Sequence, residues 1–173
     1  ADFAVDMLNS VEPYGILVTV GDNDTFPLWY AQEVLGVRKD VTVANTSLLN
    51  TEWYTRQMIR RPVFEYDSLA GPAVWRGKTW PKPDGPVLKM SFADADALPL
   101  GQDLRVAQKF TKGNIHAIIQ PGFITRADIL VLRMLNDNDT RAIHFSRTSA
   151  DLAEQLGLSA YVVMQGHARK LYA

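Results

Sequence analysis

The sequence contains no cysteine. This absence excludes disulfide bonds, thiolate catalysis and cysteine-ligated zinc or iron–sulfur sites. The chain also carries almost no net charge, because 18 lysine and arginine residues stand against 19 aspartate and glutamate residues, giving −1. A near-neutral chain offers no general electrostatic attraction to nucleic acid, so we expect no nucleic-acid partner. No apolar run approaches the roughly 18 residues of a membrane-spanning helix, so we expect no transmembrane segment within this sequence.

The remaining composition is that of a globular domain. Of 173 residues, 47% are hydrophobic and 21% are charged, which are ordinary fractions for a folded protein. Seven of the nine prolines lie between Pro62 and Pro121, which predicts an insertion or sub-domain over about 62–123. We therefore interpret residues 1–173 as a single α/β domain. Because the chain begins at Ala1 rather than methionine and stops soon after a predicted strand, we expect it to be a fragment of a larger protein.

Short apolar strands alternate with helices outside the insertion. Continuous β-branched runs predict strands at Ile16–Val20 and Val41–Asn45 that are buried on both faces, joined by a helix over about 26–35. Further strands are predicted at Ala142–Phe145 and Ala160–Met164. This order predicts a mostly parallel open sheet with helices on both faces, a Rossmann-like fold, with a proline-rich irregular and β insertion. Two short strands are predicted in the insertion, Val87–Phe92 and Ile115–Ile119.

The tetrapeptide Asp-Asn-Asp-Thr occurs twice. The first copy, Asp22–Thr25, follows a strand and precedes a helix, so it should lie at the carboxyl edge of the sheet, where open α/β sheets bind ligands. The second copy, Asp137–Thr140, follows a helix and precedes a strand, so it should lie at the opposite edge. Asn and Asp form turns there because their side chains bond to nearby backbone amides. We therefore predict that the two loops are not in contact and that the second copy forms a turn.

The first copy has two interpretations. In one, the helix is capped by a side chain of Asp22, Asp24 or Thr25 that accepts backbone N–H bonds. In the other, Asp22, Asn23, Asp24 and Thr25 form a small polar site for a divalent cation or sugar hydroxyls, with Asp22 and Asp24 as the metal ligands. An EF-hand is excluded because its sixth position, which must be glycine, is Pro27. No glycine-rich phosphate loop follows the strand.

Residues that follow the other strands could complete such a pocket. The heptapeptide "NTSLLNT" ends the second strand; it offers a polar pocket wall or, alternatively, an extended helix-capping turn. Ser146 and Arg147 follow the Ala142–Phe145 strand. Arg147 would bind a carboxylate or phosphate with its two-pronged guanidinium, or would neutralise the acidic loop without a ligand. The candidates in the heptapeptide are Asn45, Ser47 and Asn50.

Two tryptophans follow the polar turns closely. Trp29 and Trp53 would flank the pocket as a platform on which sugars stack, or would cover the core. No catalytic residue is assigned, because the three histidines have no metal-ligand spacing and no Ser-His-Asp arrangement is recognisable. His144 lies within a predicted strand and is interpreted as a core histidine.

Three stretches resemble a known protein family. In chain order, they are similar to successive segments of the soluble domain found in a large bacterial membrane-protein family. That family is related to the eukaryotic transmembrane protein O-mannosyltransferases. The first stretch is long and unusual, and the resemblance covers most of the chain except the proline-rich middle. The stretches are "ILVTVGDNDTFPLWYAQEVLGVRKDVTVANTSLLNTEWYTRQM" (Ile16–Met58), "TRADILVLRMLNDNDTRAIHF" (Thr125–Phe145) and "LGLSAYVVMQGHARKL" (Leu156–Leu171).

The resemblance implies a role within a larger membrane protein. Members carry an amino-terminal multi-helix membrane region of the lipid-linked sugar transferase type, and the soluble domain follows it. In such transferases the catalytic acid and the lipid-phosphate donor site belong to the membrane region, so the resemblance implies that this fragment is not catalytic alone. It implies an accessory domain on the extracytoplasmic, periplasmic face. Its partners would be the membrane region of the same polypeptide and an acceptor polypeptide or glycan.

Two other functions are compatible with the residues. The chain could be a free-standing enzyme or small-ligand binder that uses the Asp22–Thr25 loop. It could also be a purely structural domain in which that loop only begins a helix.

Overall fold

The computed structural model describes residues 2–172, so the two ends of the predicted domain, Ala1 and Ala173, lie outside the described residues. The described chain contains six α-helices and nine β-strands. The helices are α1 (Asp2–Asn9), α2 (Asp22–Glu33), α3 (Glu52–Arg60), α4 (Phe92–Asp96), α5 (Arg126–Asp137) and α6 (Ala150–Gln155). The strands are β1 (Ile16–Thr19), β2 (Thr42–Asn45), β3 (Gly101–Leu104), β4 (Gln108–Lys112), β5 (Ile115–Ile119), β6 (Gly122–Thr125), β7 (Ile143–Phe145), β8 (Val162–Gln165) and β9 (Ala168–Leu171).

Five strands form the main sheet, in the order β2-β1-β7-β9-β8. β1 pairs in parallel with β2, with Ile16 opposite Thr42. It also pairs in parallel with β7, where Ile16 lies opposite Ile143. β9 pairs antiparallel with both β7 and β8. The predicted parallel unit of β1, α2 and β2 is therefore present at one side of a mixed sheet.

The predicted Rossmann-like, mostly parallel sheet is wrong. β9, which the sequence pattern did not predict, lies between β7 and β8 and runs antiparallel to both. Its residues Ala168 and Leu171 are buried and the two basic residues between them are half-buried, so the short strand lacks the alternation of apolar and polar residues that would mark it. Gly166, at φ 60°, adopts the left-handed conformation that the tight β8–β9 turn requires.

Helices pack on both faces of the main sheet, because alternate residues of a strand point to opposite faces. On one face, α1 and α2 pack against Leu17 and Val43. On the other, α3, α5 and α6 pack against Ile16, Val18 and Ala44. The main sheet therefore lies between two apolar clusters.

The proline-rich segment differs from the prediction in part. From Pro62 to Ser91 the described chain forms no strand, only one 3₁₀ turn at Ala73–Trp75. The predicted strand Val87–Phe92 is wrong. Val87 and Leu88 are buried without a strand partner, and Phe92 begins α4. The predicted strand Ile115–Ile119 is present as β5. It pairs antiparallel with β4, and β3 pairs antiparallel with β6, as two small sheets separate from the main sheet.

Gly157 follows α6 and lies against β5. Its φ is +72°, and a Cβ atom at this position would lie 2.5 Å from the backbone oxygen of Ile118. The substitution Gly157→Ala is therefore expected to lower the free energy of unfolding by about 2 kcal/mol, measured by chemical denaturation. Gly77→Ala is the matched control, because Gly77 has φ +79° but no neighbouring atom within 4 Å. Gly77→Ala should lower the free energy of unfolding by about half as much as Gly157→Ala. Equal losses at the two positions would show that the close approach of β5 to Gly157 has no effect.

Candidate functional site

Polar side chains are buried where three parallel strands of the main sheet end. Thr19 ends β1, Asn45 ends β2 and Ser146 follows β7, and none of these residues has exposed surface. Because β1, β2 and β7 run in the same direction, these side chains share the carboxyl edge of the sheet. Thr25, in the second turn of α2, is equally buried and joins them.

The hydroxyl of Thr25 is the centre of this polar cluster. It donates to the backbone oxygen of Gly21 at 2.8 Å and lies 2.8 Å from the hydroxyl of Thr19. It also accepts a hydrogen bond from the side-chain amide of Asn45 at 3.0 Å, and the side-chain oxygen of Asn45 accepts the N–H of Leu48 at 3.1 Å. Asn45 thereby connects the start of α2 to the turn after β2.

Asp24 is bound by the loop after β7. Its carboxylate accepts hydrogen bonds from the hydroxyl of Ser146, at 2.7 Å, and from the hydroxyl of Thr148. Arg147 lies between these two residues in sequence but is exposed, and within residues 2–172 it forms no ion pair with Asp24 or Asp22. Neutral hydroxyls, rather than the predicted guanidinium, therefore hold the acidic loop against β7.

The start of α2 also differs from the prediction. The helix begins at Asp22, four residues earlier than expected, and its N-cap is Gly21 at φ 77° without a side-chain cap. Capping by a side chain of Asp22, Asp24 or Thr25 is therefore wrong. Asp22 and Asp24 lie in the first helical turn, where their negative charges favourably oppose the helix dipole. The side chains of Asp22 and Asn23 are exposed.

The other predicted polar residues serve different contacts. The side-chain oxygen of Asn50 accepts the N–H of Ala127 at 3.0 Å, and its amide donates to the backbone oxygen of Thr46 at 3.4 Å. Asn50 therefore joins the turn after β2 to the start of α5. Ser47 is exposed at the surface.

The acidic loop offers two carboxylates, those of Asp22 and Asp24. Within residues 2–172, no group of three histidine, aspartate or glutamate side chains is placed to hold a metal ion. Asp24 is already engaged by two hydroxyls, and Asp22 is exposed. The contacts of the Asp22–Thr25 loop are those of a structural junction among the ends of β1, β2 and β7.

The second tetrapeptide lies at the opposite edge, as predicted. It follows α5 and precedes β7, and the parallel pairing of β7 with β1 sets it at the end remote from Asp22–Thr25. The amide of Asn138 donates to the backbone oxygens of Val87, at 2.8 Å, and Met134, at 2.7 Å. The carboxylate of Asp137 accepts the N–H of Lys89 at 2.8 Å. These bonds tie the end of α5 to the proline-rich segment.

Trp29 and Trp53 meet in a cleft between α2 and α3. The cleft has a volume of about 310 Å³, and Val43 of β2 lies at its base. The ring of Tyr54 bridges the two tryptophans, with its centre 6.4 Å from that of Trp29 and 5.7 Å from that of Trp53. Phe26 extends the aromatic surface, 5.7 Å from Trp29. We call the space bounded by Trp29, Trp53 and Tyr54 the aromatic cleft.

Tyr54 also protects the outer edge of the sheet. Its hydroxyl donates to the backbone oxygen of Val43 at 2.8 Å and accepts the N–H of Asn45 at 3.1 Å. Burial raises the pKa of Tyr54 to about 12, so the hydroxyl keeps its proton at neutral pH. Since β2 is the outermost strand on this side, these bonds occupy the backbone groups that an added strand would need. Recognition at the aromatic cleft must therefore use side chains.

Polar groups surround the aromatic cleft. Arg61 donates to the backbone oxygens of Lys39, at 2.9 Å, and Val41, at 3.3 Å. These bonds hold its guanidinium beside the cleft that Arg61 helps to line. Burial lowers the pKa of Arg61. Aromatic walls with amide, carboxylate and guanidinium groups at the rim suit a ligand that has both apolar faces and hydroxyls. The other polar lining residues are Gln32, Glu33 and Gln57.

Sequence reasoning missed these polar lining residues. A helical spacing gives the signal that could have found them, because Gln32 follows Trp29 by three positions and Gln57 follows Trp53 by four. Residues at these separations share a helix face, so each tryptophan has a glutamine beside it. Gln57 is exposed, whereas Gln32 is buried and its amide donates to the backbone oxygens of Arg38, at 3.0 Å, and Val41, at 2.8 Å.

The fold and the cleft define a mixed α/β domain with an aromatic cleft at one sheet edge. A family model described as TMEM260-associated domain 2 matches residues 1–110, a range that includes β1, α2, β2 and α3, and the chain belongs to this family. No curated protein and no solved structure matches the chain. Among residues 2–172, no helix combines the length and the apolar character needed to cross a bilayer.

Proposed function

We propose that this domain is a non-catalytic accessory module of a membrane-embedded, glycosyltransferase-like protein and that it recognises an acceptor glycan through the aromatic cleft. Membership of the TMEM260-associated family supports a place in a TMEM260-like protein. The resemblance to relatives of protein O-mannosyltransferases supports a sugar, borne on a polypeptide, as the ligand. In this proposal the domain lies on the extracytoplasmic face and works beside the membrane region of the same polypeptide.

The aromatic cleft is the observation that carries the proposal. One face of a hexose is rich in C–H groups and packs on an aromatic ring, while its hydroxyls need donors and acceptors at the edge. Trp29 and Trp53 supply the rings, and Arg61 and Gln57 stand beside them. A volume of about 310 Å³ is at the lower end of the range for small-ligand sites, which suits a short glycan.

The lining of the cleft also supports binding without chemistry. Glycoside chemistry uses two carboxyl groups on either side of the sugar bond. Glu33 is the one carboxylate among the residues that line the aromatic cleft. We therefore assign the transfer step to the membrane region and recognition to this domain.

A second role, bracing the membrane region, is favoured by the outer face of α2. Phe26 and Tyr30 of α2 and Val34, which directly follows the helix, recur at four-residue spacing, and each is more than half exposed. Such a stripe on a helix that is also buried on its inner side suits a packing surface for another part of the protein.

Removal of one cleft ring tests glycan recognition. Trp53→Ala is expected to weaken binding of short α-mannose oligosaccharides about tenfold, because a stacking contact contributes about 1 kcal/mol beyond the area that it buries. Calorimetric titration of the chain measures the affinity. In the full-length protein, the same change should raise KM for a glycosylated acceptor and leave kcat nearly unchanged.

Phe123→Ala provides the matched control, since Phe123 is an exposed aromatic residue on β6, outside the aromatic cleft. Trp53 is 53% exposed, so its loss should leave the thermal unfolding midpoint nearly unchanged. The proposal is contradicted if Trp53→Ala binds the oligosaccharides as tightly as the unsubstituted chain does. It is also contradicted if Phe123→Ala loses as much affinity as Trp53→Ala.

A further inference from the structure

A loop between α3 and α4 presents aliphatic and basic side chains together. We call residues 69–83 the tryptophan loop, because it contains Trp75 and Trp80. Leu69 is 90% exposed and Val74 is 65% exposed, which is unusual for two aliphatic side chains so close in sequence. The loop contains three basic residues and no acidic residue, although the whole chain has a net charge of −1. The basic residues are Arg76, Lys78 and Lys82.

The two tryptophans fix the loop against the rest of the domain. The indole N–H of Trp75 donates to the backbone oxygen of Asn9 in α1 at 3.0 Å, and Trp75 is buried. The indole N–H of Trp80 donates to the backbone oxygen of Trp75 at 2.9 Å, and the two rings meet edge to face at 5.8 Å. The loop is therefore anchored through its aromatic residues, and its aliphatic side chains face solvent.

The turn that presents Leu69 is also held by hydrogen bonds. The carboxylate of Asp67 accepts the N–H groups of Leu69, at 2.9 Å, and Ala70, at 3.2 Å. The backbone oxygen of Asp67 accepts the N–H of Gly71 at 2.9 Å. The exposed position of Leu69 is thus a feature of an ordered turn.

Aliphatic side chains next to lysine and arginine are components of segments that bind at a lipid–water interface. The apolar side chains enter the boundary between headgroups and acyl chains, and the cations contact phosphate groups. We propose that the tryptophan loop docks this domain on an anionic lipid surface. Leu69 and Val74 insert, and Arg76 and Lys78 bind the headgroups. Lys82 contributes less, because Glu65 lies 3.8 Å from its amino group.

This inference is independent of glycan binding, because the aromatic cleft and the tryptophan loop share no residue. The charge of the loop favours lipid over the alternatives. Anionic headgroups complement the three cations of residues 69–83, which include no acidic residue, and the aliphatic side chains need an apolar phase. The same docking would orient the aromatic cleft relative to the membrane.

Co-sedimentation with vesicles tests the proposal. The chain should bind vesicles of phosphatidylcholine with phosphatidylglycerol and should bind pure phosphatidylcholine vesicles much more weakly. Arg76→Gln with Lys78→Gln should weaken binding to the anionic vesicles about 25-fold, at about fivefold for each cation. Leu69→Ser with Val74→Ser should weaken binding to the same vesicles by about tenfold or more.

The matched control is Val163→Ser with Met164→Ser, which removes two apolar side chains that are also more than half exposed, on β8. This control should bind anionic vesicles as the unsubstituted chain does, and thermal unfolding should confirm that every variant is folded. The proposal is overturned if the unsubstituted chain binds neither type of vesicle. It is also overturned if the loop variants bind anionic vesicles as strongly as the unsubstituted chain does. If the loop variants instead lose only the contact with the rest of the full-length polypeptide, the loop is a protein interface and the lipid proposal is wrong.

Discussion

Lowering the pH from 7 to 4 is expected to reduce the free energy of unfolding by about 3 kcal/mol through His144 alone. His144 lies in the centre of the main sheet without exposed surface. Burial, together with the nearby charge of Lys170, lowers the pKa of His144 from 6.5 to about 3. The Nε2 atom of His144 accepts the N–H of Glu12 at 3.5 Å, which requires an unprotonated nitrogen.

The direction of the pH effect on the free energy of unfolding depends on whether the folded or the unfolded chain binds the proton. Above about pH 6.5 the imidazole is neutral in both the folded and the unfolded chain, so His144 adds no pH dependence. As the pH falls from 6.5 towards 3, the unfolded chain binds a proton that the folded chain does not. The free energy of unfolding should then fall by about 1.4 kcal/mol per pH unit.

Urea denaturation of the unsubstituted chain and of His144→Leu, at a series of pH values, measures this contribution. The variant loses the bond to Glu12 at every pH, which gives a constant offset, so the difference in slope reports the titration. Identical pH dependence of the two proteins between pH 6.5 and 4 would show that His144 accepts a proton in the folded state.

Thr25→Val is expected to lower the free energy of unfolding by about 3 kcal/mol. Valine keeps the shape of threonine but removes the hydroxyl that accepts from the amide of Asn45 and lies 2.8 Å from the hydroxyl of Thr19. Both partners are without exposed surface, so water cannot replace the lost bonds. A buried polar group left without a partner costs about 1 to 3 kcal/mol.

Thr111→Val is the matched control, because it removes the same hydroxyl group at an exposed position of β4. Its expected effect on unfolding is within about 0.5 kcal/mol. If chemical denaturation gives equal effects for the two variants, the Asp22–Thr25 loop is not the structural junction that its hydrogen bonds indicate.

The sequence predicts the local elements well and the sheet incompletely. The runs at β1 and β2 are apolar and β-branched, and buried parallel strands have this composition, so both strands and their parallel pairing were predictable. β9 has two basic residues in four, and its pairing with β7 depends on contacts distant in sequence. The antiparallel strand that makes the sheet mixed was therefore not predictable from periodicity.

The sequence shows which polar and aromatic residues follow the strands, but not which of these side chains contact one another. Trp29 and Trp53 were predicted to flank the polar pocket, but they line a separate cleft. Arg147 was paired with an acidic loop that Ser146 and Thr148 hold instead. A one-residue difference in a loop decides which side chain points inwards, and sequence spacing does not resolve it. The polar edge and the aromatic cleft, expected as one pocket, share no lining residue.

The four indole N–H groups give the most direct measurement of glycan recognition. Trp75 and Trp80 donate theirs to backbone oxygens within the tryptophan loop and α1, whereas Trp29 and Trp53 line the aromatic cleft. In a two-dimensional ¹⁵N–¹H spectrum, addition of α-mannose oligosaccharides should shift the indole signals of Trp29 and Trp53 in a saturable manner and leave those of Trp75 and Trp80 in place. Four unchanged signals at saturating glycan, or shifts confined to Trp75 and Trp80, would contradict the assignment of the aromatic cleft as a glycan site.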